Sequence, residues 1–239
     1  MNQKPGILFL VPTPLGEDTL AGISPELLET VFALDYFIVE RGKTARRFLK
    51  AIQFPRPLQS LEFQELNEHT PDTALEGLLA PVLAGRDAGL MSEAGCPAVA
   101  DPGSPLVLLA HRLGIEVRPL VGPSSILLAL MASGLNGQRF CFQGYLTAKK
   151  TDLGRQIRQL EMQSGKERQT QIFIETPYRS QAMLDMLIQT LSPGTLLSVS
   201  AALTLPSQYI RTQTVARWRA LHPLPDLHKQ PVVFLILAG

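Results

Sequence analysis

Ser92-Glu-Ala-Gly-Cys-Pro-Ala-Val-Ala-Asp-Pro-Gly103 gathers two carboxylates, a thiol, two glycines and two prolines into twelve residues. A plain connection needs one glycine or one proline, so this density marks a ligand loop. Glycine lets backbone come close to a bound group, and free N–H groups at the start of a following helix favour an anion. Glu93 and Asp101 are candidates for proton transfer, together with Glu40 and Glu175 at two other strand ends. Asp101 has a structural alternative, turning the loop before Pro102. Three shorter segments repeat the theme. Pro12-Thr-Pro-Leu-Gly16 brings backbone to a strand end but lacks the three spaced glycines of a dinucleotide fingerprint. Val121-Gly-Pro-Ser-Ser125 offers Ser124 either as a helix cap or as a partner for a ligand carboxylate. Glu175-Thr-Pro-Tyr-Arg179 sets a carboxylate and a guanidinium at a strand end. His69, in Asn67-Glu-His-Thr70, reads as a loop residue rather than a base.

These loops need rigid elements behind them. Ile7–Val11 and Ala88–Met91 are short apolar runs ended by glycine- and proline-rich loops, which predicts buried strands. Further strands are expected at 35–40 and 116–120. Ser24-Pro25 predicts a helix start, with Leu27, Leu28, Val31 and Phe32 on its inner face. Helices are also expected over 44–52, from Thr70-Pro71 to Gly85, and before Gly114, the last with Ser104 as its cap. This alternation predicts an α/β chain with a mainly parallel sheet and helices on both faces. After Gly122, residues 126–132 are apolar on every side and predict a buried helix. Strands at 140–146 and 170–175 flank a polar helix at 152–164, and Thr176-Pro177 opens another helix. Strand-like runs follow at 196–203, 208–215 and 231–237, the last two suited to antiparallel pairing. The expected architecture is two α/β domains, 1–119 and 120–239, with a ligand cleft between them.

The chain has 239 residues, 45% of them apolar, and a formal net charge of +1. That excludes wholesale polyanion binding but leaves room for local basic clusters. Two such clusters stand out: Arg41, Lys43, Arg46 and Arg47, and Lys149, Lys150, Arg155 and Arg158. Each can be an RNA contact or simply a solvated helix face. Two cysteines, Cys96 and Cys141, make no disulfide framework, and no apolar run reaches the length of a membrane span. A cytoplasmic protein without a metal site or a membrane partner is expected.

Taken in order, the segments Thr13–Gly16, Ser92–Gly103, Val121–Ser124, Arg139–Leu146 and Glu175–Arg179 resemble the tetrapyrrole methylase family. Their nearest pattern is that of the branch acting on ribose 2′-hydroxyls of small-subunit ribosomal RNA. The resemblance covers nearly the whole chain. It implies a methyltransferase using S-adenosylmethionine, and a homodimer. It also implies that the cofactor touches Leu15, is lined by Ala94, Gly95, Cys96 and Val99, meets Ser124 and Ser125 at its methionine portion, and is closed by Glu175 and Leu203 on the adenosine side.

Three departures from the family pattern fall at charged positions, and two of them change the charge. Glu-Asp-Thr-Arg is replaced by Glu40-Arg41-Gly42-Lys43, Arg-Glu-Leu-Thr-Lys by Ala201-Ala-Leu-Thr-Leu205, and the acidic residue after Ser92 is Glu93 rather than Asp. Cofactor positions are thus better kept than charged positions on the substrate side, and a shifted substrate choice is expected. Three functions stay open: an RNA methyltransferase, a methyltransferase on a small molecule such as a tetrapyrrole, and a non-catalytic cofactor-binding protein.

Overall fold

Runs of four apolar residues are enough to build the three inner strands of the first sheet, which are covered on both faces. In the computed structural model, which describes residues 4–17 and 19–239, the chain forms two units, the first ending at Ser124 and the second running from Ser125 to Gly239. The first unit carries strands β1 (Ile7–Leu10), β2 (Tyr36–Val39), β3 (Glu62–Glu65), β4 (Ala88–Met91) and β5 (Glu116–Pro119). They pair in the order β3-β2-β4-β1-β5, all parallel. Its helices are α1 (Pro25–Ala33), α2 (Gly42–Ala51), α3 (Leu75–Leu83) and α4 (Ser104–Arg112). Successive side chains alternate between two cores. Leu8, Ile38 and Leu90 pack with Leu79 and Leu106 on one face. Phe9, Phe37 and Val39 pack with Leu27 and Leu49 on the other. Chain leaving β1 therefore enters a helix on one face, and chain leaving the adjacent β4 enters a helix on the opposite face. Ligands of α/β sheets bind at such a switch point, outside the carboxyl ends of the strands.

The structure differs from the sequence reading in three details of this unit. β3 was not expected: Glu-Phe-Gln-Glu has no apolar run, because an edge strand has little to bury. The third helix opens with a 3-10 turn at Asp72–Ala74, so α3 itself starts at Leu75. The cap of α4 is Gly103 and not Ser104, which lies inside the first turn.

The second unit contains α5 (Ser125–Ser133), β6 (Phe140–Tyr145), α6 (Lys150–Glu167), β7 (Thr170–Glu175), α7 (Ser180–Thr190), β8 (Leu196–Ala201), β9 (Tyr209–Thr214), α8 (Val215–Ala220) and β10 (Val232–Leu237). The sheet order is β6-β7-β10-β8-β9. Only β6 and β7 are parallel, joined by a crossover through α6; the other pairs are antiparallel. The expected pairing of the last two strands is corrected here. β9 pairs with β8 through a loop too short for a crossover, and β10 inserts between β7 and β8. Phe173, Phe234, Val199, Leu184 and Trp218 form the core, and Trp218 Nε1 donates to Leu197 O at 2.9 Å.

The helix expected to be buried all round is half-exposed instead. Ala129, Leu130 and Ser133 of α5 are buried, whereas Met131 is 78% exposed. A single sheet face takes only one stripe of a helix, so the remaining apolar residues face outward. Among the described residues no helix is long and apolar enough to cross a membrane.

Candidate active site

Three loops of the first unit converge at the carboxyl ends of β1, β4 and β5. Thr13 N–H donates to Gly95 O at 2.9 Å and Gly95 N–H donates to Thr13 O at 3.0 Å, an isolated antiparallel bridge. Thr13 Oγ1 adds a bond to Ser92 O at 3.3 Å. The bridge needs Gly95 at φ +77°, a region open to glycine, and a Cβ there would stand 3.3 Å from Leu15 Cδ2 and 3.7 Å from Pro123 O. The Cys96 thiol donates to the same Pro123 carbonyl, Sγ to O 3.4 Å, and burial pushes that thiol's pKa up. Leu15, Gly95 and Cys96 are therefore brought together as expected, with Thr13 and Pro123 as partners that sequence reasoning did not single out. Ala94 and Val99 are exposed beside them.

Asp101 holds the far side of the loop. Its Oδ1 accepts from Ala98 N at 2.8 Å and Gly103 N at 2.7 Å, which stabilises positive φ at Ala98 (66°) and Ala100 (59°). Its structural alternative is therefore realised. Glu40, at the end of β2, accepts the Glu93 N–H on Oε2 at 3.2 Å. Glu93 Oε1 accepts from Thr44 Oγ1 at 3.1 Å and lies 3.6 Å from Arg41 Nε. Glu40, Ser92 and Asp101 line one crevice with Leu66, Leu90, Met91, Pro102 and Gly103. Burial, and then the negative charges of Glu93 and Asp101, hold the Glu40 carboxyl above the usual range against the pull of its backbone hydrogen bond. Burial also raises Asp101, against its two backbone hydrogen bonds.

The second unit carries Glu175 and Leu203 on one sheet edge. Glu175 ends β7 opposite Val232, and Val232 is in turn opposite Ala201 at the end of β8, so Leu203 follows on the same edge. Glu175 is buried; its Oε1 accepts from Thr176 N at 2.7 Å, and its Oε2 lies 3.0 Å from Arg179 Nη2, off line for a hydrogen bond. Ser124 ends the first unit and Ser125 opens α5. Ala201 and Ala202, in place of charged residues of the family pattern, are buried. His69 is an exposed loop residue beside Glu68.

In the first basic cluster, Arg47 pairs with Glu17, Arg41 with Glu93, and Arg46 lies over the Phe63 ring. Loops 12–16 and 94–99 contain no cationic side chain. Apolar side chains and backbone carbonyls dominate there, a set that fits a sulfonium group without repelling it.

Residues 8–218 match the family described as Tetrapyrrole (Corrin/Porphyrin) Methylases. The chain belongs to this family, and with it to the methyltransferases. A relative from Synechocystis sp., named ribosomal RNA small subunit methyltransferase I, is 34% identical over 83% of this chain and 67% of its own length. One of the same name from Escherichia coli O157:H7 is 30% identical over 100% of this chain and 79% of its own. Among solved structures, the methyltransferase CobJ shares the fold with a TM-score of 0.64 at 19% identity, over 99% of this chain and 95% of that one.

Proposed function

We propose that the chain transfers a methyl group from S-adenosylmethionine to a ribose 2′-hydroxyl of RNA. The observation that carries the cofactor half is the Thr13–Gly95 bridge, which ties the glycine- and proline-rich loops after β1 and β4 at the switch point of the first sheet, while Cys96 holds the loop after β5. The RNA half is supported by the names of the relatives, which span most of the chain.

Bound cofactor supplies an electrophilic methyl carbon on a cationic sulfur. The chain aligns the acceptor hydroxyl with that carbon, and well-oriented pairs gain effective molarities up to about 10⁵–10⁸ M. Leu15, Gly95, Cys96 and Val99 hold the cofactor, and Ala94 adds backbone. Glu40 takes the proton of the hydroxyl as its oxygen attacks, a role worth about 10²–10⁴-fold. Glu40 is preferred over its neighbours because Asp101 holds its loop and Glu93 is paired with Thr44 and Arg41. A homodimer belongs to the same proposal, supported by the exposed apolar Met131 on α5.

Incubation with methyl-labelled cofactor and undermethylated small ribosomal subunits tests the reading, followed by nucleotide mapping. Label on a ribose oxygen is expected; label absent from RNA while calorimetry shows cofactor bound would overturn the RNA half.

A further inference from the structure

At the sheet edge of the second unit that carries Glu175 and Leu203, Tyr178 stands out into solvent. It is 80% exposed, against 54% for Tyr145 at the end of β6, while Trp218, Phe173 and Phe234 are buried. The turn that presents it, between β7 and α7, is tied on both sides. Arg179 Nη2 donates to Thr147 O at 3.2 Å, joining the turn to the loop before α6. Lys229 N–H donates to Pro177 O at 3.1 Å, joining it to the segment before β10, and Ser180 Oγ bonds Gln230 O at 3.0 Å.

Both tethered segments bring lysines. Lys149 and Lys150 follow Thr147 at the start of α6, and Lys229 is itself the tether; all three are exposed and have no ion-pair partner among the described residues. Three acids lie close by, each engaged: Glu175 is buried with its Oε2 3.0 Å from Arg179, Asp152 is 3.9 Å from Arg155, and Asp226 accepts the His228 N–H at 2.9 Å. An exposed ring on a turn tethered to two segments that carry unpaired lysines is poorly suited to a protein core contact. It suits a single-stranded nucleic acid, whose bases stack on aromatic faces while its phosphates meet cations.

We propose that Tyr178, with Lys149, Lys150 and Lys229 around it, is a platform that holds an unpaired stretch of the RNA substrate, one base stacked on the ring and the flanking phosphates on the lysines. The proposal rests on the RNA reading above and extends it by naming where and in what form the RNA is held. Unpaired rather than duplex RNA follows from the geometry, since a ring on a protruding turn can stack only on a base that is not already stacked in a helix.

Binding of a fluorescently labelled single-stranded RNA to the full chain, read by anisotropy in the presence of S-adenosylhomocysteine, tests it. Tyr178→Ala is expected to weaken binding roughly 5- to 150-fold, and Tyr178→Phe to leave it unchanged. The triple variant Lys149→Ala, Lys150→Ala, Lys229→Asn is expected to lower the slope of log affinity against log salt by about 0.7 per lysine. Asn is chosen at position 229 because that residue has φ +57°. Calorimetry of S-adenosylhomocysteine on every variant should match the parent, which shows that the fold and cofactor loops are intact. If the parent binds RNA and the Tyr178 and lysine variants bind it equally well, the platform is wrong and the RNA reading stands. If the parent binds the cofactor product but no RNA, single-stranded or duplex, both fail together.

Discussion

At the residue scale, Gly95 is the position where geometry and chemistry meet. Its φ of +77° and the 3.3 Å from its missing Cβ to Leu15 leave no room for a branched side chain. Gly95→Val should cost roughly 1–3 kcal/mol of stability and abolish binding of S-adenosylmethionine and its demethylated product. Circular dichroism checks that the variant folds, and titration calorimetry reads the binding; normal affinity in a folded variant would reduce Gly95 to a turn residue. Glu40 gives a prediction with a sign. Its pKa is raised in the folded chain, by burial first and by neighbouring carboxylates after that. Above the ordinary carboxylate range the unfolded chain is ionised and the folded chain resists ionisation, so the group costs stability there; below that range both states hold the proton and the cost disappears. Glu40→Gln should therefore raise the melting temperature near neutral pH and leave it unchanged in acid, as followed by scanning calorimetry. The same variant should lose most methyl transfer, and the parent's rate should climb as pH passes the raised Glu40 pKa.

At the scale of elements, the loop from Ser92 to Gly103 is shaped by one carboxylate. Asp101 Oδ1 satisfies two backbone N–H groups and holds two alanines at positive φ. Asp101→Asn keeps an acceptor oxygen in place, and it should retain cofactor binding and most activity. Asp101→Ala leaves two N–H groups unpaired, at about 1–3 kcal/mol each where water is excluded, and should weaken the cofactor as well as the fold. Loss of activity in Asp101→Asn with unchanged cofactor affinity would make Asp101 a proton acceptor rather than a brace. The elements themselves were legible where burial left a local mark. β1, β2 and β4 are continuous apolar runs, and α1 begins where Ser24 caps it, its Oγ accepting the Leu27 N–H at 3.2 Å. β3 and α8 left none: one is a polar edge strand, the other a six-residue helix directly after β9.

At the scale of the whole molecule, two expectations concern partners. If α5 forms a subunit contact, Met131→Glu should shift the mass seen by light scattering from dimer to monomer, because a buried unpaired carboxylate opposes association; a parent already monomeric at micromolar concentration would end the homodimer proposal. The altered charges predict divergence from the ribosomal relatives. Arg41-Gly42-Lys43 and the buried Ala201-Ala202 stand where the family pattern has Asp-Thr-Arg and Arg-Glu. Each lost charge-assisted contact costs about 1.5–3 kcal/mol, so a strain lacking the ribosomal enzyme should regain only part of its ribose mark. Full restoration, mapped on the RNA, would show that these charges are dispensable.

The sequence by itself determined where the apolar strands lie, which loops carry glycine, proline and carboxylates, and to which family they belong. Those signals are local: a buried strand needs an apolar run, and a close backbone approach needs glycine. The tertiary structure alone decided which strands become neighbours, placing β10 between β7 and β8, and it alone turned one stripe of α5 outward. It also decided that Thr13 bonds Gly95 and that Glu40 stands beside Glu93. Pairings across more than 50 residues depend on sheet order and register, and no local periodicity records those.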